Sequence, residues 1–409
     1  MKSIREIYRI GNGPSSSHSM APRFAAQIFM EKHPDANAFQ VVLYGSLAAT
    51  GKGHGTDVSI SAILKKRGSV EIIWKPDIFL PFHPNGMTFR TIDKEKKIVD
   101  EWTVYSIGGG ALAEEKKKYI DDTDDTDDTD VYKMTKLKNI LSWCNKSGKS
   151  YWEYVEQSEG SEIWDYLAEV WENMKTSISE GLMTEGVLPG MLHLRRKASS
   201  FYIKAMEYSD NLKARGSVFA YALAASEENA AGNIIVTAPT CGSCGVLPAV
   251  LFYLQKTRNY SNIRIYRALA TAGLIGNIVK ENASISGAEV GCQGEIGVAC
   301  AMASAASCQL SGNSNTQIEY AAEMGLEHHL GMTCDPIGGL VQIPCIERNA
   351  YAAARALDIN VYASFTDGNH YVSFDRVVEV MKQTGHDLPS LYKETSEGGL
   401  AKEFRCCKY

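Results

Sequence analysis

Residues 121–130 read Asp-Asp-Thr-Asp-Asp-Thr-Asp-Asp-Thr-Asp, seven aspartates in ten positions. A run of that charge density repels itself and has no apolar area to bury, so it is expected to stay solvated between folded parts. A calcium loop would need a glycine and a closing glutamate at fixed spacing, which this run lacks. It therefore divides the 409 residues into a smaller domain over 1–112, an acidic linker over 113–131 and a larger domain over 132–409.

Composition narrows the class. Hydrophobic residues at 44% and charged residues at 22% give an ordinary globular balance, which excludes disordered, collagen-like and coiled-coil chains. A net charge of −6 argues against the broad basic face of a nucleic-acid partner. No stretch approaches the roughly 20 apolar residues of a membrane span. The best, 245–254, is short and carries Pro248. The opening MKSIREIYRI has charges where a secretory leader needs an apolar core. The expectation is a cytoplasmic protein without membrane or nucleic-acid partners, in which ten cysteines do not form a disulfide framework.

Short β-branched and aromatic runs at Phe39–Tyr44, Val70–Trp74 and Met87–Arg90 predict strands. A helix is predicted over Ala25–Met30, opened by Ser19-Met-Ala-Pro22. The first domain is thus expected to be α/β, ending near Gly108–Gly110. Beyond 132 the pattern turns helical. Trp164, Leu167, Ala168, Trp171 and Met174 follow the spacing of one buried helix face. Thr316 and Glu319 read as a capping box and Gly331 as a helix stop. Alanine-rich stretches at 219–225, 298–307 and 350–356 would let helices approach closely. The fold class is α+β, an α/β domain followed by an all-helical one.

Three loops carry a cysteine into a predicted helix or turn: Cys292 before a helix over 296–310, Cys334 before a Gly-Gly turn, and Cys345 before a helix over 346–357. Unpaired N–H groups at a helix start lower a thiol pKa, so these three thiolates could hold a soft metal centre. Buried packing cysteines are the competing reading. Three ligands would leave one iron of an iron–sulfur cluster open to substrate. Cys241 and Cys244 form the one CxxC. They could be a redox pair or ligands, but the strand-turn-helix context favours backbone positioning as an anion cradle. Gly11–Ser19 concentrates Ser15, Ser16, Ser17 and His18 before a helix, and Gly51–Asp57 places His54 in a flexible loop. Either histidine could be a base near neutral pH or an ordinary turn residue. Lys213 and Gly108–Gly110 hint at the lysine and glycine loop of pyridoxal-phosphate dehydratases, in the reverse chain order.

Taken together, GPSSSHS, YGSLAATGKGHGTD, FHPNGMTF, TEGVLPG, SEENAAGNIIVTAPT, NASISGAEVGCQGEIGVACAMA, GMTCDPIGGLVQIPCIERNA and ETSEGGLA resemble the bacterial iron–sulfur L-serine dehydratases in their single-chain form. That resemblance implies a first domain like an allosteric substrate-binding module, a helical catalytic domain and a homodimer. It implies a [4Fe–4S] cluster on Cys292, Cys334 and Cys345, and His54 as catalytic base. Ser15, Ser16, Ser17, His18, Thr240, Asn282, Ser284 and Ser286 fall on segments that line the substrate and the cluster. A tail cysteine, Cys406 or Cys407, would occupy the open iron until L-serine displaces it. Two departures stand out: the first domain is short before Gly108, and Cys241 stands where asparagine is frequent. The implied reaction eliminates water from L-serine to aminoacrylate, which becomes pyruvate and ammonia. Two other readings are a pyridoxal-phosphate dehydratase using Lys213 and a non-catalytic amino-acid sensor holding structural metal.

Overall fold

Pro22 sits in the first turn of the helix Ala21–Lys32, where its missing N–H costs nothing. The computed structural model that shows this describes residues 1–115, 130–395 and 398–406, with side chains throughout except at 210–211 and 403–406. Most of the acidic run therefore lies outside the described residues. Seven strands are found among them: β1 (Ile10–Asn12), β2 (Ala38–Tyr44), β3 (Ser69–Lys75), β4 (Gly86–Ile92), β5 (Ile98–Ser106), β6 (Leu112–Ala113) and β7 (Ile234–Val236). Five form one sheet in the order β3-β2-β4-β5-β6. Only β2 and β3 run parallel, joined by the crossover helix Thr56–Leu64.

Alternation makes this sheet one-sided. Phe39, Val41 and Leu43 of β2, with Met87 and Phe89 of β4, share a buried cluster with Ala25, Phe29, Ile60 and Leu64 of the two helices. The three predicted strands lie inside β2, β3 and β4. β5 was not anticipated, because its exposed start, Ile98–Glu101, carries charge and no clean alternation.

The helical part is built around Ile296–Leu310, whose residues are buried except Gln309. Four helices pack on it: Val246–Arg258, Asn262–Asn282, Asn315–Glu327 and Cys345–Ser364. Small residues set the spacing. A Cβ added at Gly325 would come within 2.7 Å of the Ala301 Cα, so glycine lets these two backbones touch. Leu167, Trp171 and Met174 on Ile163–Met183 are buried as the periodicity predicts, while Ala168 is half-buried. Among the described residues, no helix is long and apolar enough to cross a membrane.

Three expectations need correction. The helix Asn315–Glu327 is capped by Ser314 with Gln317, not by Thr316 with Glu319. Glu319 is taken by the Phe374 N–H and by His370, and the helix ends before Gly331. The helical part also contains a strand, since β1 pairs antiparallel with β7. Finally, the first twelve residues pack in the helical core rather than with the sheet. Ile4, Ile7 and Tyr8 are fully buried there, and the Tyr8 hydroxyl donates to the Leu269 carbonyl.

Candidate active site

Ser15 opens a single wide turn, Ser16–Met20, by accepting from the His18 N–H. This leaves His18 fully buried. Its Nδ1 lies 2.9 Å from Ser17 Oγ, and its Nε2 lies 2.9 Å from Thr50 Oγ1 and 3.2 Å from the Ser46 carbonyl. A carbonyl can only accept, so the partners assign the proton to Nε2. The Ser16 carbonyl caps the following helix. Ser19 Oγ donates to the His54 carbonyl at 2.7 Å, tying the serine loop to the second histidine.

His54 was expected in a flexible loop; it is 1% exposed. The loop is rigid because it is wedged. A Cβ on Gly51 would strike the Leu47 carbonyl at 2.3 Å, and one on Gly53 the Gly338 carbonyl at 2.6 Å. The two imidazoles lie 4.4 Å apart. Burial lowers His18 to about 4 and, with His18 beside it, pulls His54 well below the ordinary histidine value. Both rings are therefore neutral near pH 7. His54 Nδ1 is buried with no hydrogen-bond partner.

Two of the three cysteines touch and the third lies near them: Cys292 and Cys334 share a hydrogen bond, and the charge of Cys292 acts on Cys345. Cys292 and Cys334 are buried, and Cys345 begins its helix behind the cis-Pro344 turn. A hydrogen bond from the Cys334 thiol and the nearby Arg348 guanidinium lower Cys292 to about 6. The other two depart from the sequence expectation. Its hydrogen bond to Cys292 and burial raise Cys334, while burial and the charge of Cys292 raise Cys345. The helix-start argument fails for them because desolvation outweighs the dipole, and because Cys334 lies in an extended bridge with Lys393 rather than at a helix start. Three soft donors, a guanidinium beside them and near-complete burial suit a thiolate-bound metal group.

Sequence reasoning missed what joins the halves. Glu394 Oε1 lies 3.3 Å from His18 Nδ1, and ligand atoms of Glu394, His18 and His54 all fall within 4.8 Å of one another. The Glu394 N–H donates to the Cys334 carbonyl, and its own carbonyl accepts from Ser46 Oγ. It holds φ +58, a left-handed conformation that costs a non-glycine residue energy. Glu295 was missed too. It is half-buried, accepting from Thr240 Oγ1 at 2.7 Å with the Cys334 thiol 3.8 Å away. Burial lifts it to about 8. His83 and Asn85 complete one wall, and both side-chain polar atoms of Asn85 are buried without a partner. Each of these residues lies in or beside a segment already singled out, and for Glu295 a carboxylate among glycines was the available signal.

The remaining candidates divide. Ser286 is buried against Gly108 with its hydroxyl unpartnered, and Thr240 reaches the cysteines through Glu295. Ser284 spends its hydroxyl on Glu289 near the surface. Asn282 does not face the site: its amide is bound by the carbonyls of Thr135 and Ile278, closing the helix Asn262–Asn282. Cys241 and Cys244 are buried thiols beside Met20 and the Ala225 carbonyl. Cys406 lies at the end of the helix Gly399–Cys406, its side chain outside the described residues, and Cys407 lies outside them entirely. That helix packs on Ile337–Gly339, and the Leu400 N–H donates to Asp335. Lys213 is exposed on the helix Asp210–Ala230, unlike a lysine enclosed around a Schiff base.

Comparison with known proteins identifies the family. Residues 96–401 match the family described as serine dehydratase alpha chain, and residues 3–72 and 63–117 match serine dehydratase beta chain. The chain is 39% identical to the L-serine dehydratase of Streptomyces coelicolor, spanning 98% of each protein. It is 38% identical to that of Haemophilus influenzae and to L-serine dehydratase 1 of Escherichia coli, spanning 99% of this chain and 100% of each relative. Likeness of this extent, carried by both the sheet and the helices, makes the chain a member of the serine dehydratase family.

Proposed function

We propose that the chain eliminates water from L-serine with the help of a [4Fe–4S] cluster held by Cys292, Cys334 and Cys345. What supports this reading is a neutral histidine pair from the loops beside the sheet, linked through Glu394 to Cys334, with Cys292 and Cys345 near it. Serine resists elimination at both ends, since its α-proton is weakly acidic and hydroxide leaves poorly. Bound there, a cluster with three protein ligands would supply an open iron as Lewis acid for the β-hydroxyl.

The rest falls to side chains. His54, neutral and with Nδ1 unpartnered, takes the α-proton. His18, fixed by Ser17, Thr50 and Ser46, holds the position of the His54 ring. Burial excludes water until the elimination is complete. The aminoacrylate formed tautomerises to the imine, and water converts that to pyruvate and ammonia. Either Cys406 or Cys407 serves as the internal ligand that substrate displaces, and two chains associate as a homodimer.

The test is anaerobic purification with an iron and acid-labile sulfide count and a serine-to-pyruvate assay. Cluster-bearing protein should release pyruvate. Full turnover in material without sulfide would overturn the reading.

A further inference from the structure

L-Serine reaches the site as a zwitterion, and an ammonium group taken out of water needs a carboxylate partner. Most of the carboxylates near the thiols are already engaged. Glu295 is held by Thr240, with the Cys334 thiol against its other oxygen. Asp335 is taken by Thr333, Arg348 and the Leu400 N–H. Glu289 is shared between Ser284 and His83 at the surface. Glu394 differs. One oxygen lies 3.3 Å from His18 Nδ1, while Oε2 is buried with no hydrogen-bond partner. Its left-handed backbone is pinned at both ends, by the Cys334 carbonyl and by Ser46 Oγ.

The placement fits the substrate. The α-proton and the α-nitrogen leave the same carbon, so the groups receiving them must lie within a few ångströms of one another. His54 and Glu394 offer ligand atoms within 4.8 Å. We propose that Glu394 receives the α-ammonium of the substrate and so makes the site selective for 2-amino acids over 2-hydroxy acids. The proposal deepens the dehydratase reading and rests on it for the position of the substrate.

Its test uses ligands that cannot lose water. L-Alanine and L-lactate differ only in carrying an ammonium or a hydroxyl at Cα, and their binding to cluster-bearing protein can be measured by anaerobic calorimetry. In the unaltered protein, alanine should bind at least ~10²-fold more tightly than lactate, the scale on which a stripped buried charge pair weakens binding. Glu394→Gln, which keeps shape and removes charge, should abolish that preference by weakening alanine while leaving lactate within about threefold, the cluster absorbance being unchanged. Equal losses for both ligands, or no loss for either, would overturn the proposal. Should the variant lose its cluster, the unaltered protein still decides, since equal affinity for alanine and lactate refutes a carboxylate partner. If alanine is preferred but serine is not turned over, the dehydratase reading fails and the ammonium site stands.

Discussion

Beside His54 the sheet half presses its backbone against that of the helical half, and that contact can be loaded. A Cβ on Gly53 would sit 2.6 Å from the Gly338 carbonyl oxygen and 2.7 Å from that of Gly339, where ordinary contact begins at 3.4 Å. Gly53→Ala must therefore open a gap of about 0.8 Å, and since both obstacles are main chain, no side chain can swing aside. The turn cannot retreat, because Gly51 is already against the Leu47 carbonyl and Trp74. The displacement falls on His54, the next residue. Misplacing a proton acceptor on this scale should cost about 10–10²-fold in kcat, and the strain about 1–3 kcal/mol of stability. The assay compares kcat, KM, iron content and Tm of the variant with the unaltered protein. A lower Tm with unchanged kcat per folded, cluster-bearing molecule would refute the idea that this contact positions the base.

Replacing Cys292, Cys334 or Cys345 by Ala should abolish retention of iron and sulfide along with pyruvate release; iron and turnover surviving in all three variants would remove the thiols from the site. His54→Ala should keep the brown chromophore and lose turnover, and a normal rate would strip the histidine of its role as base. Truncation after Ala401 should change the lag or the apparent affinity for serine, and unchanged kinetics would exclude an internal tail ligand. His329 is held neutral by burial, at about 4, whereas an unfolded histidine titrates near 6.5. Between those values the unfolded chain binds the proton and the native one does not, so this residue makes stability fall as pH falls. Urea unfolding from pH 6.5 to 4 should show His329→Gln relieved of about 1.4 kcal/mol per pH unit of that loss; an unaltered slope would contradict the assignment.

Local signals were legible where one element decides its own limits. The helix Ile296–Leu310 starts and stops where the sequence places it, because a glycine-rich cysteine loop precedes an unbroken run of small helix formers. The second capping box misled because Ser314 with Gln317 and Thr316 with Glu319 satisfy the same pattern. Only the tertiary fold shows Glu319 bound elsewhere. Likewise, nothing in Gly-Lys-Gly-His-Gly distinguishes a mobile loop from a wedged one, since the same missing side chains allow both. Glu394 lay beyond reach for a related reason. A glutamate between lysine and threonine reads as surface, and its burial depends on Ser46, 348 residues earlier in the chain.

That separation bears on how the protein comes into being. A ribosome releases the histidines early and the thiols much later, while Tyr392 and Glu394, which brace Cys334 from both sides, emerge after them all. Chains interrupted before that point would carry the histidines and the three thiols without the segment that braces Cys334. Competence arrives with the closing stretch of translation, which suits a catalyst whose reaction drains a building block of protein synthesis.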